Sequence, residues 1–182
     1  MVSRQYTNKR EERYRTAMKR YQKDRQRNVL AQPGEHSFIL VLDNLQAGFN
    51  VPKIFRSAEA FGAHEIHLIN VGPFDPAPAK GAFRKVPAKF YNNIEDCFEQ
   101  LKARGYTLFT LEADKGKTLF QAKLPEKSAF ILGNEDSGMS FDTASYPDVE
   151  CLSIPHFGVT ESLNVSIAAS IVMYEYISQH QE

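Results

Sequence analysis

The chain has 182 residues, of which 42% are hydrophobic and 24% charged. That is enough for one domain with a hydrophobic core plus an appendage, and no apolar run approaches the ~20 residues a membrane helix needs. Net charge at pH 7 is zero, yet the first 28 residues hold ten bases and three acids, so that segment carries a surplus of seven positive charges and the remainder an equal negative surplus. A basic arm on a mildly acidic body suits a polyanionic partner such as nucleic acid, although a solvated helix or frayed tail would show the same charge. The amino terminus is charged from Arg4 onward and lacks the apolar core of a secretory signal. Cys97 and Cys151 stand in no metal-like or redox-like spacing, so a cytosolic, reduced protein without structural zinc is expected.

Nothing breaks a helix from about Tyr6 to Leu30, and Pro33-Gly34 ends the segment. Tyr14, Met18 and Tyr21 recur at helical spacing and form a narrow apolar stripe, better suited to packing on the body than on a base. Ser37–Leu42 reads as a buried strand. A helix follows from about Pro52 to Phe61, with Asn50 placed to cap it and Gly62 to stop it. Glu65–Val71 is the next strand, and the Pro- and Gly-rich stretch Gly72–Ala82 reads as a surface loop. Ile94–Arg104 reads as a helix, while Tyr106–Leu111, Ala129–Leu132 and Glu150–Ile154 read as strands. Ser162–Ser178 closes the chain as a largely buried helix whose inner face is expected to carry Leu163, Ile167, Ile171 and Tyr174, widened by Ala168 and Val172. This alternation predicts an α/β fold: a mostly parallel sheet with helices on both faces. Ligands in such sheets bind at the carboxyl ends of strands, which here means just after Leu42, Leu111, Leu132 and Ile154.

Two fragments invite a phosphate-binding loop, and both fail. Gly133-Asn134-Glu135-Asp136-Ser137-Gly138 has the glycine spacing but Met139 where the Lys belongs, and Gly116-Lys117-Thr118 has Leu111 in place of the leading Gly. No Gly-x-Gly-x-x-Gly is present either, so a dinucleotide site lacks its turn. What remains is Leu132-Gly133-Asn134-Glu135, a strand end where Gly lets backbone approach a flat ligand and where Glu135 and Asp136 tolerate a cation at sulfur. A polar turn explains that segment equally well. Further on, Ile154-Pro155-His156-Phe157-Gly158-Val159-Thr160-Glu161-Ser162-Leu163-Asn164 runs from a strand through a loop into a helix start. Capping accounts for one of Ser162 and Asn164; the other is free to orient a substrate hydroxyl or a cofactor carboxylate. Between Asn50 and Gly62, Arg56 sits among apolar neighbours, where a surface salt bridge is its ordinary role.

In this order the three segments resemble the signature motifs of the SpoU-type branch of the SPOUT superfamily of RNA methyltransferases. The resemblance covers the chain from about Ser37 to its end, and the third motif, Ile154-Pro155 through Ser162-Leu163-Asn164 and on to Tyr174-Glu175, carries it most specifically. Residues 1–34 are read as a basic helical arm outside the family core, and the resemblance implies a methyltransferase domain over 35–182, ending in a trefoil knot. It also implies a cytoplasmic homodimer that uses S-adenosyl-L-methionine. By position, Leu132, Gly133, Ile154, Leu163 and Ser162 are expected at the cofactor, and Arg56, Asn50, Glu135, Ser162 and Asn164 at the acceptor ribose. No metal is implied. The family often has small residues where this chain has Pro52-Lys53, and Thr is common where it has Ser57. Arg56 is too weak an acid to serve as a base, so it is expected to position the acceptor electrostatically; Ser162, a phosphate or water is left to take the proton. The absence of a large extra domain leans towards tRNA over rRNA as the substrate. A non-catalytic RNA-binding or ribosome-assembly factor that kept the fold is the alternative.

Overall fold

The computed structural model describes residues 2–113, 115–159 and 161–181, with the side chains of residues 2–8 outside that description. Thr160 of the third motif and the Arg4 side chain therefore lie outside the described residues. Helix α1 spans Val2–Asn28. Strands β1 (Ile39–Asp43), β2 (Glu65–Ile69), β3 (Ala88–Tyr91), β4 (Thr107–Leu111), β5 (Lys117–Thr118), β6 (Ser128–Leu132) and β7 (Val149–Ser153) alternate with helices α2 (Asn50–Ala60), α3 (Ile94–Ala103) and α4 (Val165–His180).

The seven strands form one parallel sheet in the order β3-β2-β1-β6-β4-β7-β5. Every residue of β1, β2 and β6 is buried, as expected of strands covered on both faces. Side chains alternate between the faces with period two. Leu40, Leu42, Phe130 and Leu132 point to the core under α2 and α4, and Ile39, Val41, Ala129 and Ile131 to the core under α3.

The helices α2 and α4 each follow a parallel strand and run side by side in the same direction. Asn164 Nδ2 donates to Asn50 Oδ1 at 3.2 Å, Ser170 Oγ donates to Ser57 Oγ at 2.9 Å, and the Phe61 and Tyr174 rings meet edge-on at 6.4 Å. The Ser57 that departs from the common Thr is thus one rung of the α2–α4 contact.

Four local expectations are corrected. Asn50 does not cap α2: the cap position is Phe49, with no side-chain bond, and the Asn50 amide is directed at distant partners. The segment read as a surface loop after Gly72 buries Ala79 and also Phe74, whose ring stacks on Phe55 and packs against the rings of Phe83 and Tyr21. Ser162 and Leu163 precede α4 instead of opening it, since Asn164 is the cap and accepts from the Ser166 amide at 3.0 Å. Finally, α4 is turned from the expected orientation. Val165, Ala169, Val172, Met173, Tyr176 and Ile177 are buried, whereas Ile167 is 52% and Tyr174 66% exposed.

Candidate active site

Residues following β4, β6 and β7, with the start of α4, enclose a cavity of about 510 Å³. Its apolar walls come from Leu111, Leu132, Met139, Ile154, Leu163, Val165 and Ala168, and its polar groups from Glu112, Lys115, Asn134, Glu135, His156, Ser162 and Asn164. This is the carboxyl edge of the sheet, beside the β1/β6 boundary where the direction of strand succession reverses.

The turn after β6 shapes one wall. Asn134 and Gly138 exchange backbone hydrogen bonds at 2.8 and 2.9 Å, folding the segment back on itself. Gly133 is required there, because a Cβ would lie 2.5 Å from the Gly138 carbonyl carbon. Asn134 locks the turn from inside and out. Its Oδ1 accepts from the amides of Asp136 and Ser137 at 2.9 and 3.1 Å, and its Nδ2 donates to the Asn44 carbonyl at 2.7 Å. Asn44 follows β1 at φ 53°, a left-handed conformation that Asn tolerates better than most residues. Asp43, fully buried, accepts from the amide and hydroxyl of Ser140, each at 2.7 Å, and ties the far end of the turn to β1.

At the edge of the cavity Glu135 collects donors. Asn50 Nδ2 donates to its Oε1 at 2.8 Å, and the Gln46 amide to its Oε2 at 3.3 Å. Asn50 in turn accepts from Asn164, whose own Oδ1 accepts from the Ser166 amide at 3.0 Å and hydroxyl at 2.6 Å. One chain of hydrogen bonds thus joins Asn50, Glu135 and Asn164 from three distant parts of the sequence. Such a network fixes each side chain's rotamer and leaves its remaining polar atoms aimed.

The structure places the expected residues in three groups. Leu132, Gly133, Glu135, Ile154, Ser162, Leu163 and Asn164 line the cavity. Asn50 lies one hydrogen bond behind it. Arg56 is exposed on α2, outside the cavity lining of this chain, and makes no salt bridge among the described residues. Sequence reasoning missed Asp43, Asn44, Gln46 and Glu112, and held Asn134 in the second motif without giving it a role. Asp43 had a readable signal, an acid ending an apolar strand, and Glu112 directly follows the strand end at Leu111 where a ligand is expected; Asn44 and Gln46 act through contacts with residues about 90 positions away.

A second polar cluster lies across the sheet and is structural. Glu65 accepts from Arg104 at 2.8 Å and pairs with Lys89 at 3.1 Å, and its carboxylate lies 2.8 Å from His67 Nε2. Burial alone would raise the Glu65 pKa, but hydrogen bonds from His67, Arg104 and Lys89 outweigh it and hold the carboxyl well below its usual range. Cys97 Sγ lies 3.3 Å from His67 Nδ1, yet burial pushes the thiol up to about 12, so it is no nucleophile at neutral pH.

With this geometry in hand, comparison with known proteins is decisive. The model of the SpoU rRNA Methylase family matches residues 37–174. The chain belongs to this family. Every cavity-lining residue and the three motifs as far as Tyr174 fall inside the SpoU match, and α1 precedes it. Over 157 residues the chain is 30% identical to the 23S rRNA (guanosine-2′-O-)-methyltransferase RlmB of Neisseria meningitidis, covering 81% of this chain and 61% of that protein. It is 33% identical over 153 residues to the RlmB of Nitrosomonas europaea, covering 81% and 58%. The chain therefore spans about three fifths of the length of these relatives. Among solved structures it is similar to the SpoU methyltransferase AviRb of Streptomyces viridochromogenes in complex with AdoMet, with a TM-score of 0.72, 26% identity and coverage of 81% of this chain and 59% of that one. It is also similar to a protein described for 2-OH methylation of C/U34 on tRNA, with a TM-score of 0.67, 25% identity and coverage of 80% and 97%.

Proposed function

We propose that this chain transfers a methyl group from S-adenosylmethionine to a ribose 2′-hydroxyl of RNA. The observation that carries the proposal is the hydrogen-bonded chain Asn50–Glu135–Asn164 at the edge of a cavity of about 510 Å³. The cavity suits the cofactor in size and chemistry. Its volume lies within the usual range of about 300–1,000 Å³ for small-ligand sites. Apolar walls and the close-packed backbone at Gly133 suit an adenine ring, and the acids Glu112 and Glu135 suit a cation at sulfur.

When bound, the cofactor supplies a methyl made electrophilic by its sulfonium. The protein's part is orientation and charge. Leu132, Gly133, Ile154 and Leu163 hold the adenosine. Asn50, Glu135 and Asn164 fix the direction of approach of the acceptor hydroxyl, and Ser162, in the cavity wall, can relay its proton to water. Arg56, lacking an internal ion pair among the described residues, is available to a phosphate or hydroxyl of the acceptor. A guanidinium has donors and no acceptor, so it positions and does not abstract. Two further features complete the proposal. A second copy covers the apolar side chains that α4 exposes, chiefly Ile167 and Tyr174, making a homodimer. The segment between β7 and α4 threads as a trefoil knot.

The substrate is cytoplasmic RNA. The lean towards tRNA has the support of the neighbour described for C/U34 of tRNA, while the relatives at 30–33% identity are named for 23S rRNA. The test is transfer of labelled methyl to separated tRNA and rRNA from cells lacking the protein, with Arg56→Ala alongside. Label should enter one fraction. Arg56→Ala should lose at least about a hundredfold in transfer, in line with removal of a group that stabilises developing charge, while its cofactor affinity by calorimetry stays unchanged. An equal loss of cofactor binding in Arg56→Ala would refute the separation of roles. Failure of the native chain to bind the cofactor would favour a non-catalytic RNA-binding factor.

A further inference from the structure

α1 is docked by one face and bare on the other. Tyr21 is 4% exposed and packs between Phe74 and Phe83, with ring centroids 5.2 and 5.6 Å away. Asn28 donates to the carbonyls of Phe83 and Val86 at 2.6 and 2.8 Å and accepts from the Ala88 amide at 3.0 Å. Asp24 faces Arg84 at 3.7 Å, Arg20 donates to Asp75 at 2.8 Å, and the Arg25 guanidinium lies 4.2 Å from the Phe90 ring centre. Three of the helix's charged side chains are thus spent on the body. The helix is a fixed strut.

On the opposite face the bases form a row. At 3.6 residues per turn, Lys19 and Lys23 lie within about 20° of diametrically opposite Tyr21, and Arg15 and Arg27 flank them within about 60°. Arg15, Lys19, Lys23 and Arg27 follow one another at four-residue intervals, so the row runs for about 18 Å along the helix. All four are exposed, as are Gln22 and Gln26 beside them. Lys19, Lys23 and Arg27 make no salt bridge among the described residues. Among the described residues Arg15 pairs with Glu11 alone, at 3.4 Å with both side chains largely in water, a contact easily exchanged. Glu12 lies beyond the amino-terminal end of the row.

We propose that this row is a docking ridge for the phosphate backbone of a base-paired RNA segment, a proposal that rests on RNA being the substrate. Evenly spaced cations on a rigid rod match the regular phosphates of a duplex. A single strand is ordinarily held on aromatic platforms, and this row has none. The rest of the chain carries a surplus of seven negative charges and repels RNA, so the ridge sets where the strand lands. Because the strut is docked on the same body as the cavity, it holds a helical RNA segment at a fixed distance from the reacting nucleotide.

The test is the full chain with Lys19→Gln, Lys23→Gln and Arg27→Gln combined, since all three are exposed, stand outside the cavity lining and make no salt bridge to the body among the described residues. Affinity for a fully paired RNA hairpin and for an unpaired RNA of equal length is measured across a salt series. The variant should lose at least about tenfold in hairpin affinity, and its log–log salt slope should become shallower by about two to three, the contribution of three phosphate contacts. Its melting temperature, cofactor affinity and binding of unpaired RNA should not change. Unchanged hairpin affinity and slope would overturn the ridge, and an equal loss on unpaired RNA would overturn its preference for duplex. A native chain that binds the hairpin as described but transfers no methyl would refute the reaction and leave the ridge standing.

Discussion

A methyl group added at Gly133 would fall 2.5 Å from the Gly138 carbonyl carbon and 2.8 Å from the Met139 nitrogen. Neither atom belongs to a side chain that can swing away, so the turn itself has to move. The same turn carries Asn134 and Glu135, whose partners lie just after β1 and on α2. Gly133→Ala is therefore expected to weaken cofactor binding by at least about tenfold, or about 1.4 kcal/mol, as read by calorimetry. Unchanged affinity would show that the turn is not a wall of the cofactor site. At this scale the sequence was legible where a residue's role is local. Gly62 halts α2 at φ 64°, as a helix stop should. It was illegible for Asn50. Position before a Pro suggested a cap, but its partners are Glu135 and Asn164, 85 and 114 residues away, and no local rule weighs such contacts.

Among the elements, α1 and α4 teach opposite lessons. Spacing in α1 singled out Tyr14, Met18 and Tyr21, and only the carboxyl-terminal part of that stripe meets the body: Tyr21 is 4% exposed and Tyr14 64%. The helix overhangs. Tyr21→Ala should cost about 3 kcal/mol, the usual range for emptying a large buried aromatic site, measured by denaturant unfolding; a loss below about 1 kcal/mol would mean the helix is not anchored there. Cutting the chain after Asn28 would likewise strip three hydrogen bonds and bare Phe74 and Phe83. A truncation thus reports on folding as well as on RNA, which is why charge removal is the cleaner probe of the ridge. In α4 periodicity misled, because the helix is apolar on more than one side. Choosing between the stripe through Ile167 and Tyr174 and the stripe through Ala169, Met173 and Tyr176 requires knowing what lies beneath, and spacing alone does not say.

Across the whole molecule, the alternation of apolar strands with amphipathic helices was enough to give a parallel sheet covered on both faces. The strands it passed over are the short ones, β3 and β5, at the two sheet edges. β3 is half-buried throughout and β5 has two residues, so neither carries a hydrophobic run to read. The position of the cavity also follows from topology, since ligands in such sheets gather at the carboxyl edge. What topology cannot convey is the acceptor atom. Alkaline cleavage of RNA needs a free 2′-hydroxyl, so the position of a transferred methyl can be read from what survives alkali. The deciding measurement is to incubate the protein with RNA and methyl-labelled S-adenosylmethionine, hydrolyse the RNA in alkali and separate the products. The account predicts label in alkali-resistant dinucleotides; label confined to mononucleotides would place the methyl on a base and contradict it.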